Sequence, residues 1–252
     1  MRLAVIGDPI AHSLSPAIHR AVFAELGIPL EYSAHRVEKG KLDAFIRFAV
    51  AEKIDGFNVT MPHKTDILPF CASVHAKAVN TVTLREGVLR GYSTDEKGFL
   101  LSLAERGFSV RGKQAVIAGR GGVAATLSEA LINEGADAQC ISVRNGVSLP
   151  QGRAAGLFIN ATPLGMEGCP EDWKDLSFLR KLPKDAAVYD LIYNPRKTRL
   201  LREAETLGLT AINGLDMLIY QAILSDEIYL GKELDKAGLK GKAEKLINTH
   251  LF

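Results

Sequence analysis

Residues 114–133 read QAVIAGRGGVAATLSEALIN, and this stretch decides the fold of the second half of the chain. Its apolar start, at residues 114–118, is followed by the glycine-rich turn Gly119-Arg120-Gly121-Gly122 and then by the apolar spacing of an amphipathic helix. A strand, a tight glycine turn and a helix in this order predict one unit of a parallel sheet with helices on its faces.

Short apolar runs and amphipathic stretches alternate on both sides of this segment. The pattern predicts elements in the first half at 3–7, 16–26, near Tyr32, near Phe45 and at 56–59, and strands in the second half at 139–143, 157–159 and 188–191. A helix over about 96–106 should join the two series, since it follows a hairpin-like segment that turns at Gly87. Two such series predict two α/β domains.

The segment from Leu215 onward reads as helices only, so we expect it to pack back on the first domain. The predicted architecture is a parallel-rich α/β domain, residues 1–97 plus 215–252, and a Rossmann-like nucleotide-binding domain, residues 98–214. Between Asn145 and the strand at Leu157 there is room for a loop but not for a helix plus a strand. The second domain is therefore expected to lack one helix and one strand of a complete nucleotide-binding sheet.

Composition excludes several classes of protein. The chain has 252 residues, 47% hydrophobic and 24% charged, which is enough to bury a sizeable core. The net charge of +2 provides no broad basic surface for nucleic acid or an anionic membrane. Neither the cysteines nor the scattered histidines show metal-ligand or disulfide spacing, and the apolar N-terminus is too short for a signal peptide. We expect a cytoplasmic protein without a metal, with its cysteines reduced (Cys71, Cys140, Cys169) and its histidines structural (His12, His19, His35, His63, His75, His250).

The glycine-rich turn has the context in which backbone N–H groups cradle a pyrophosphate, although an ordinary turn would read similarly. A site for NAD carries an acidic residue at the end of the next strand, whereas this chain has Val143-Arg144-Asn145 there. Arg144 suits a 2′-phosphate, and the alternative is a solvated arginine at a strand end. NADP is thus the predicted cofactor, and NAD is not excluded.

Polar clusters follow the predicted strands of the first domain, where open α/β sheets bind ligands. Each has a simpler reading as well: Ser15 before Pro16 as a helix N-cap, Lys64 as a solvated lysine at a helix start, and Asp95 as a helix cap. The clusters are Ser13-Leu14-Ser15, residues 58–64 (NVTMPHK), Asn80-Thr81 and Ser93-Thr94-Asp95.

Taken in order along the chain, these clusters and three later ones resemble the shikimate dehydrogenases. The matching segments are SLS at 13–15, NVTMPHK at 58–64, AVNT at 78–81, NATPLGM at 160–166, YDLIYNP at 189–195 and GLDMLIYQ at 214–221. The chain departs from the family at Ser93, where an asparagine is usual, at Arg120, where an alanine is usual, and at residues 143–145, where the family has N-R-T.

The resemblance implies an NADP-dependent oxidoreductase that reversibly reduces 3-dehydroshikimate to shikimate, on the route to chorismate and the aromatic amino acids. It implies the catalytic pair Lys64 and Asp95, and a small-molecule substrate held by Ser13 and Ser15 at its carboxylate and by Asn58, Thr60, Asn80, Tyr193 and Gln221 elsewhere. The cofactor residues implied are Gly119, Arg120, Gly121, Gly122, Val123, Arg144, Asn160, Ala161, Thr162, Gly214 and Met217. The expected protein is a monomer or homodimer.

Three alternatives remain open at this point. One is an enzyme of the same fold that also accepts quinate, and a second is a homologue that binds a shikimate-like ligand without turnover. The third, an ordinary Rossmann-type dehydrogenase, explains the glycine turn and leaves the ordered polar clusters unexplained. The retained Lys64 and Asp95 favour catalysis over binding alone.

Overall fold

The structure, a computed structural model, describes residues 1–251 except residues 12, 75, 145, 151 and 153, and no side chains are described for residues 248–251. The chain divides into two compact units. The first comprises Met1–Gly98 and Ile219–Phe252, and the second comprises Phe99–Leu218.

The first unit is built on a six-stranded sheet in the order β2-β1-β3-β5-β6-β4. Its strands are β1 (Arg2–Gly7), β2 (Glu31–Arg36), β3 (Gly56–Val59), β4 (Ser73–Val74), β5 (Thr81–Arg85) and β6 (Val88–Tyr92). Its helices include α1 (Ser15–Glu25) and α2 (Leu42–Ala51), and a short 3₁₀ turn lies at Leu68–Phe70. Strands β1, β2 and β3 are parallel, and β5 and β6 form an antiparallel hairpin.

The hairpin turns at Glu86-Gly87, where both residues have positive φ, 51° and 78°. Two positive φ values are those of the tight turn that suits the twist of antiparallel strands. At the open end of the hairpin, strand pairing brings several polar segments together. Strand pairing sets Asn58 opposite Thr81 and Thr81 opposite Tyr92, so the segments after β3 and β6 and before β5 meet at one edge.

The second unit contains a five-stranded, fully parallel sheet in the order β11-β10-β9-β7-β8. Its strands are β7 (Gln114–Ala118), β8 (Asp137–Ile141), β9 (Ala155–Asn160), β10 (Ala187–Asp190) and β11 (Thr210–Asn213), with helices α4 (Gly122–Asn133) and α5 (Arg199–Thr206) and a short 3₁₀ segment at Ser177–Lys181. Renumbered from β7, this is the Rossmann order 3-2-1-4-5-6 without its third strand. The described residues between β8 and β9 contain neither helix nor strand, which confirms the predicted trimming.

Apolar clusters cover both faces of the second sheet, as a parallel sheet requires. One face packs against Trp173, Phe178 and Leu200, and the other against Phe99, Leu127 and Met217. Strands β7 and β9 are buried along their whole length. The predicted α/β fold with a Rossmann-like second half is confirmed.

The structure differs from the sequence prediction at three elements. Strand β8 runs from Asp137 rather than Gln139, because it begins where pairing with Gln114 of β7 begins and not where the apolar run begins. The short helix α5 and strand β11 were not placed by the sequence pattern.

Helices α3 (Asp95–Glu105), α6 (Leu215–Leu230) and α7 (Lys236–Leu251) complete the fold. The unit boundaries fall inside α3 and inside α6. From Ile219 onward the C-terminal segment belongs to the first unit, where α7 packs on α1. Within the described part of the chain, no helix combines the length and apolar character needed to cross a membrane.

Candidate active site

A lysine–aspartate ion pair lies at the edge of the first sheet where the strand ends meet. Lys64 Nζ donates to Asp95 Oδ2 at 2.6 Å, and the two side chains are 21% and 11% exposed. The backbone of Lys64 is held by a hydrogen bond from Val79 N to its carbonyl at 2.8 Å. Asp95 is the first residue of α3. The pair is therefore largely shielded from solvent without being fully buried, which suits a proton-transfer site.

Asn80 holds the aspartate from its other side. Its Nδ2 lies 3.0 Å from Asp95 Oδ1, 3.0 Å from Gln221 Oε1 and 2.8 Å from Thr94 Oγ1. Its Oδ1 accepts from Thr94 N at 2.9 Å and from Thr81 Oγ1 at 3.0 Å, which fixes the orientation of the amide. Asn80 Nδ2 has two hydrogens for these three acceptors, so the three contacts share them.

Gln221 reaches Asn80 because helices α3 and α6 approach each other closely at Gly98. A Cβ at Gly98 would lie 2.8 Å from the backbone nitrogen of Gln221. Glycine is therefore required at this crossing, which lies one turn after Asp95 on α3.

Asn58, near the end of β3, belongs to the same hydrogen-bond network. Its Oδ1 accepts from Tyr32 Oη at 2.8 Å, and its Nδ2 donates to the carbonyl of Asn80 at 3.2 Å and to Ser225 Oγ at 3.2 Å. Asn58 is buried. Its amide is thus engaged by the protein itself.

The expected helix N-cap at Ser15 is wrong. The cap residue is Leu14, which already has helical dihedral angles, and Ser15 is the first residue of α1. Ser13 instead accepts from the backbone N–H of Ser15 through its Oγ at 3.3 Å. Both serines therefore lie at the start of α1, at the positive end of its dipole.

Two other simple readings are also wrong. Lys64 does not start a helix, because residues 61–67 form consecutive turns, and Asp95 lies inside the first turn of α3 rather than before it. Thr60 follows β3, where its N–H donates to the carbonyl of Ile6 at 2.9 Å. The Thr60 methyl group occupies the space that a Cβ at Gly7 would need.

The glycine turn of the second unit brings three strand ends together. Gly119 N donates to the carbonyl of Ile141 at 2.9 Å, and a Cβ on Gly119 would lie 2.9 Å from the carbonyl oxygen of Ala161. Gly119 has a φ of 131°, which favours glycine. This is the point between β7 and β9 where the strand order reverses, the usual ligand position of such sheets.

Helix α4 starts at this point without a side-chain cap. The N-cap residue is Gly121, which has no side chain to cap the helix. A Cβ on Gly121 or Gly122 would have no described atom within 4 Å. Free N–H groups beside open space suit a phosphate. Arg120 is exposed and Val123 half-buried.

Asn160 organises the loop after β9. Its Oδ1 accepts from Thr162 N at 3.0 Å and Thr162 Oγ1 at 2.6 Å, and its Nδ2 donates to Asp190 Oδ1 at 3.0 Å. Burial raises the pKa of Asp190 to about 6, although hydrogen bonds from Thr198, Ile192 and Asn160 oppose the shift. Asn160 therefore supports the shape of the loop.

The remaining predicted residues of the second unit lie at its strand ends. Arg144 is exposed after β8, and Tyr193 is half-buried after β10, where burial raises its pKa. Gly214 follows β11 and packs so tightly on the backbone of Leu191 that no Cβ fits, and Met217 is buried. Asn145 lies outside the described residues.

No described group of three His, Cys, Asp or Glu residues is arranged to hold a metal ion. His63 is buried, with Nε2 2.6 Å from the carbonyl of Val37, and His19 is buried against Asp226. His12, His75 and the side chain of His250 are outside the described part of the structure.

The sequence analysis gave no role to Ser225 or Tyr32, and it placed Thr94 in a polar cluster without giving it a role in the network. Thr94 is adjacent to Asp95, and Ser225 lies one helical turn after Gln221, after the apolar residues Ala222, Ile223 and Leu224. That spacing was a usable signal for Ser225. Tyr32 offered none, because its bond to Asn58 depends on strand pairing.

Known proteins are similar to this chain over nearly its whole length. Residues 5–82 match the shikimate dehydrogenase substrate binding domain. A shikimate dehydrogenase (NADP(+)) of Methanopyrus kandleri is 38% identical, over 91% of this chain and 90% of that protein. This chain belongs to the shikimate dehydrogenase family.

Solved structures agree with membership of the shikimate dehydrogenase family. They also include an enzyme that is named for a different substrate. The Thermus thermophilus shikimate 5-dehydrogenase, in complex with NADP(H) and shikimate, has a TM-score of 0.84 and 31% identity, covering 98% of this chain and 99% of that one. A ligand-free 5-ketofructose reductase from a Gluconobacter strain has a TM-score of 0.77 and 30% identity, covering 98% of both chains. Relatives at this level of identity thus include enzymes named for different substrates.

Proposed function

We propose that the protein is an NADP-dependent shikimate dehydrogenase, reversibly reducing 3-dehydroshikimate to shikimate on the route to chorismate and the aromatic amino acids. The observation that carries the proposal is the shielded Lys64–Asp95 pair, 2.6 Å apart and anchored through Asn80. Family membership and the NADP(H)–shikimate complex of the Thermus thermophilus relative support it.

Lys64 and Asp95 are the proposed catalytic residues. When bound, NADP supplies the hydride acceptor for the alcohol carbon, so the protein must take the proton from the attached oxygen. The ion pair offers both a base and a cation beside that oxygen. Its contacts keep it fixed, because Asn80 holds one carboxylate oxygen and Lys64 the other.

The substrate carboxylate is assigned to Ser13 and Ser15 at the start of α1. The hydroxyls and the helix N-terminus provide donors for an anion there. Thr60, Asn80 and Gln221 are assigned to the ring hydroxyls, and the network in which Asn80 joins Asp95 to Gln221 supports this assignment. A site of paired polar groups rejects analogues that leave one of them unsatisfied. Asn58 and Tyr193 are retained as substrate residues on the family resemblance.

NADP is assigned to the second unit. The tight turn at Gly119 and the open space in front of Gly121 and Gly122 fit a pyrophosphate. The end of β8 carries Arg144 and no carboxylate, which favours a 2′-phosphate over the free ribose hydroxyl of NAD. The other proposed cofactor residues are Arg120, Val123, Asn160, Ala161, Thr162, Gly214 and Met217.

The test is a turnover assay with purified protein, shikimate and either NADP or NAD, followed by the absorbance of the reduced nicotinamide. We expect turnover that is faster with NADP and abolished in Lys64→Ala. Shikimate binding without turnover would instead support a ligand-binding homologue.

A second set of assays compares the preferred substrate with those of related enzymes. Quinate is assayed for oxidation with NADP beside shikimate, and 5-ketofructose is assayed for reduction with NADPH beside 3-dehydroshikimate, because the Gluconobacter relative is named as a 5-ketofructose reductase. We expect the higher kcat/KM for shikimate in the first comparison and for 3-dehydroshikimate in the second. A higher value for either competitor would reassign the substrate while leaving the catalytic pair in place.

A further inference from the structure

Ser225 occupies a buried position on α6 that none of the family motifs covers. It is 0% exposed and lies one turn after Gln221. Its neighbours Ala222, Ile223 and Leu224 are buried and apolar. A hydroxyl in such a helix competes with the backbone and must find partners.

Four groups surround the Ser225 hydroxyl. Its Oγ lies 2.7 Å from Thr81 Oγ1, 2.9 Å from the carbonyl of Gln221, 3.2 Å from Asn58 Nδ2 and 3.3 Å from Thr94 Oγ1. Its single proton satisfies either the Gln221 carbonyl or Thr81, and in both arrangements its oxygen accepts from Asn58.

Every one of these four neighbours also contacts Asn80. The Thr81 hydroxyl and the Thr94 backbone N–H donate to Asn80 Oδ1. Asn58 Nδ2 donates to the Asn80 carbonyl, and Gln221 Oε1 accepts from Asn80 Nδ2. Asn80 in turn reaches Asp95 at 3.0 Å. Ser225 is therefore two contacts away from Asn80, through one shared neighbour, and three contacts away from the catalytic carboxylate.

We propose that Ser225 is a positioning residue that holds Asn80 and Gln221 in register for the substrate. The inference rests on the proposed function. Removal of the hydroxyl takes one partner from each of Thr81, Asn58 and Thr94, which loosens the contacts that hold the Asn80 amide in its orientation. Asp95 keeps its bond to Lys64, so the loss should fall mainly on substrate binding.

The kinetic test compares Ser225→Ala with Ser102→Ala. Ser102 is a matched control: it is fully buried on α3 within the second unit, donates to the carbonyl of Phe99 and contacts Tyr189 Oη. For Ser225→Ala we expect the KM for shikimate to rise about tenfold with kcat within about threefold, since the lost contacts serve binding. Ser102→Ala should leave both constants unchanged, and neither variant should change the KM for NADP.

A second readout does not depend on activity. Hydrogen exchange of the Asn80 side-chain NH₂ group, followed by ¹⁵N NMR, should be slow in the wild type and in Ser102→Ala and fast in Ser225→Ala. Shikimate KM values for the two variants within about twofold of each other, or an unchanged Asn80 exchange rate, would overturn the inference. An inactive wild type would overturn the proposed function, and the exchange measurement would still decide the role of Ser225.

Discussion

Among single residues, Asn80 explains why the ordered polar clusters belong together. Its amide contacts Thr94 and Asp95, at the start of α3, and Gln221, which is far along the chain on α6. The family motifs identified Asn80, Asp95 and Gln221 from sequence. They did not reveal the hydrogen bonds among them, because those bonds join residues far apart in the chain and depend on the pairing of β3, β5 and β6.

Arg144 should determine the choice between NADP and NAD. In Arg144→Ala we expect the KM for NADP to rise about tenfold or more, since a charge-assisted bond to a phosphate is lost. The KM for NAD should change by less than about twofold. Steady-state kinetics with both cofactors checks this, with Arg47→Ala on the exposed face of α2 as the control. Equal losses with both cofactors would show that Arg144 does not recognise the 2′-phosphate.

Asp190 should make the second unit more stable in mild acid. Its folded pKa of about 6 lies above the ordinary value, so the folded state binds the proton more tightly. Below about pH 4, this tighter proton binding adds on the order of 3 kcal/mol to the free energy of unfolding. The contribution is lost as the pH rises through about 6.

Urea unfolding between pH 4 and 7 measures this effect through the fluorescence of Trp173, the only tryptophan, which is buried in the second unit. The wild type should lose stability relative to Asp190→Asn across that window. A constant difference between the two proteins would contradict the assignment.

At the scale of elements, the crossing of α3 and α6 at Gly98 sets the distance between Asp95 and Gln221. Gly98→Ala should force the helices apart and lower kcat/KM for shikimate by about tenfold or more, because small displacements of positioned groups are costly. The packing strain should cost about 1–3 kcal/mol of stability.

Gly241→Ala on α7 is the matched control, since no described atom lies within 4 Å of a Cβ there. It should leave activity unchanged and raise stability by up to about 1 kcal/mol through helix propensity. Kinetics and thermal unfolding of both variants decide the point. Wild-type kinetics in Gly98→Ala would show that this crossing does not position the site.

The sequence predicted most elements correctly because their apolar periodicity is strong. It failed where tertiary pairing overrides local pattern. Strand β8 begins where it pairs with β7, and α1 begins at Leu14 and Ser15 rather than after a serine cap. The missing Rossmann strand was predictable, because chain length alone limits what fits between Asn145 and Leu157.

For the whole molecule, the central expectation is a division of labour between the two units. Shikimate should slow backbone hydrogen exchange in the first unit, around residues 58–64 and 93–95. NADP should slow exchange in the second unit, around residues 119–123, because binding to the folded state opposes local opening. Exchange followed by mass spectrometry measures both. Protection by NADP confined to the first unit would contradict the assignment.

The most direct test of the account is the kcat of Asp95→Asn for shikimate oxidation at saturating NADP. The substitution preserves size but removes the charge that pairs with Lys64, with Asp43→Asn on the exposed face of α2 as the control. We predict a fall in kcat of at least about 100-fold, the usual contribution of proton transfer by a positioned group, with the fold retained. A kcat within about threefold of the wild type would show that the Lys64–Asp95 pair does not carry the chemistry.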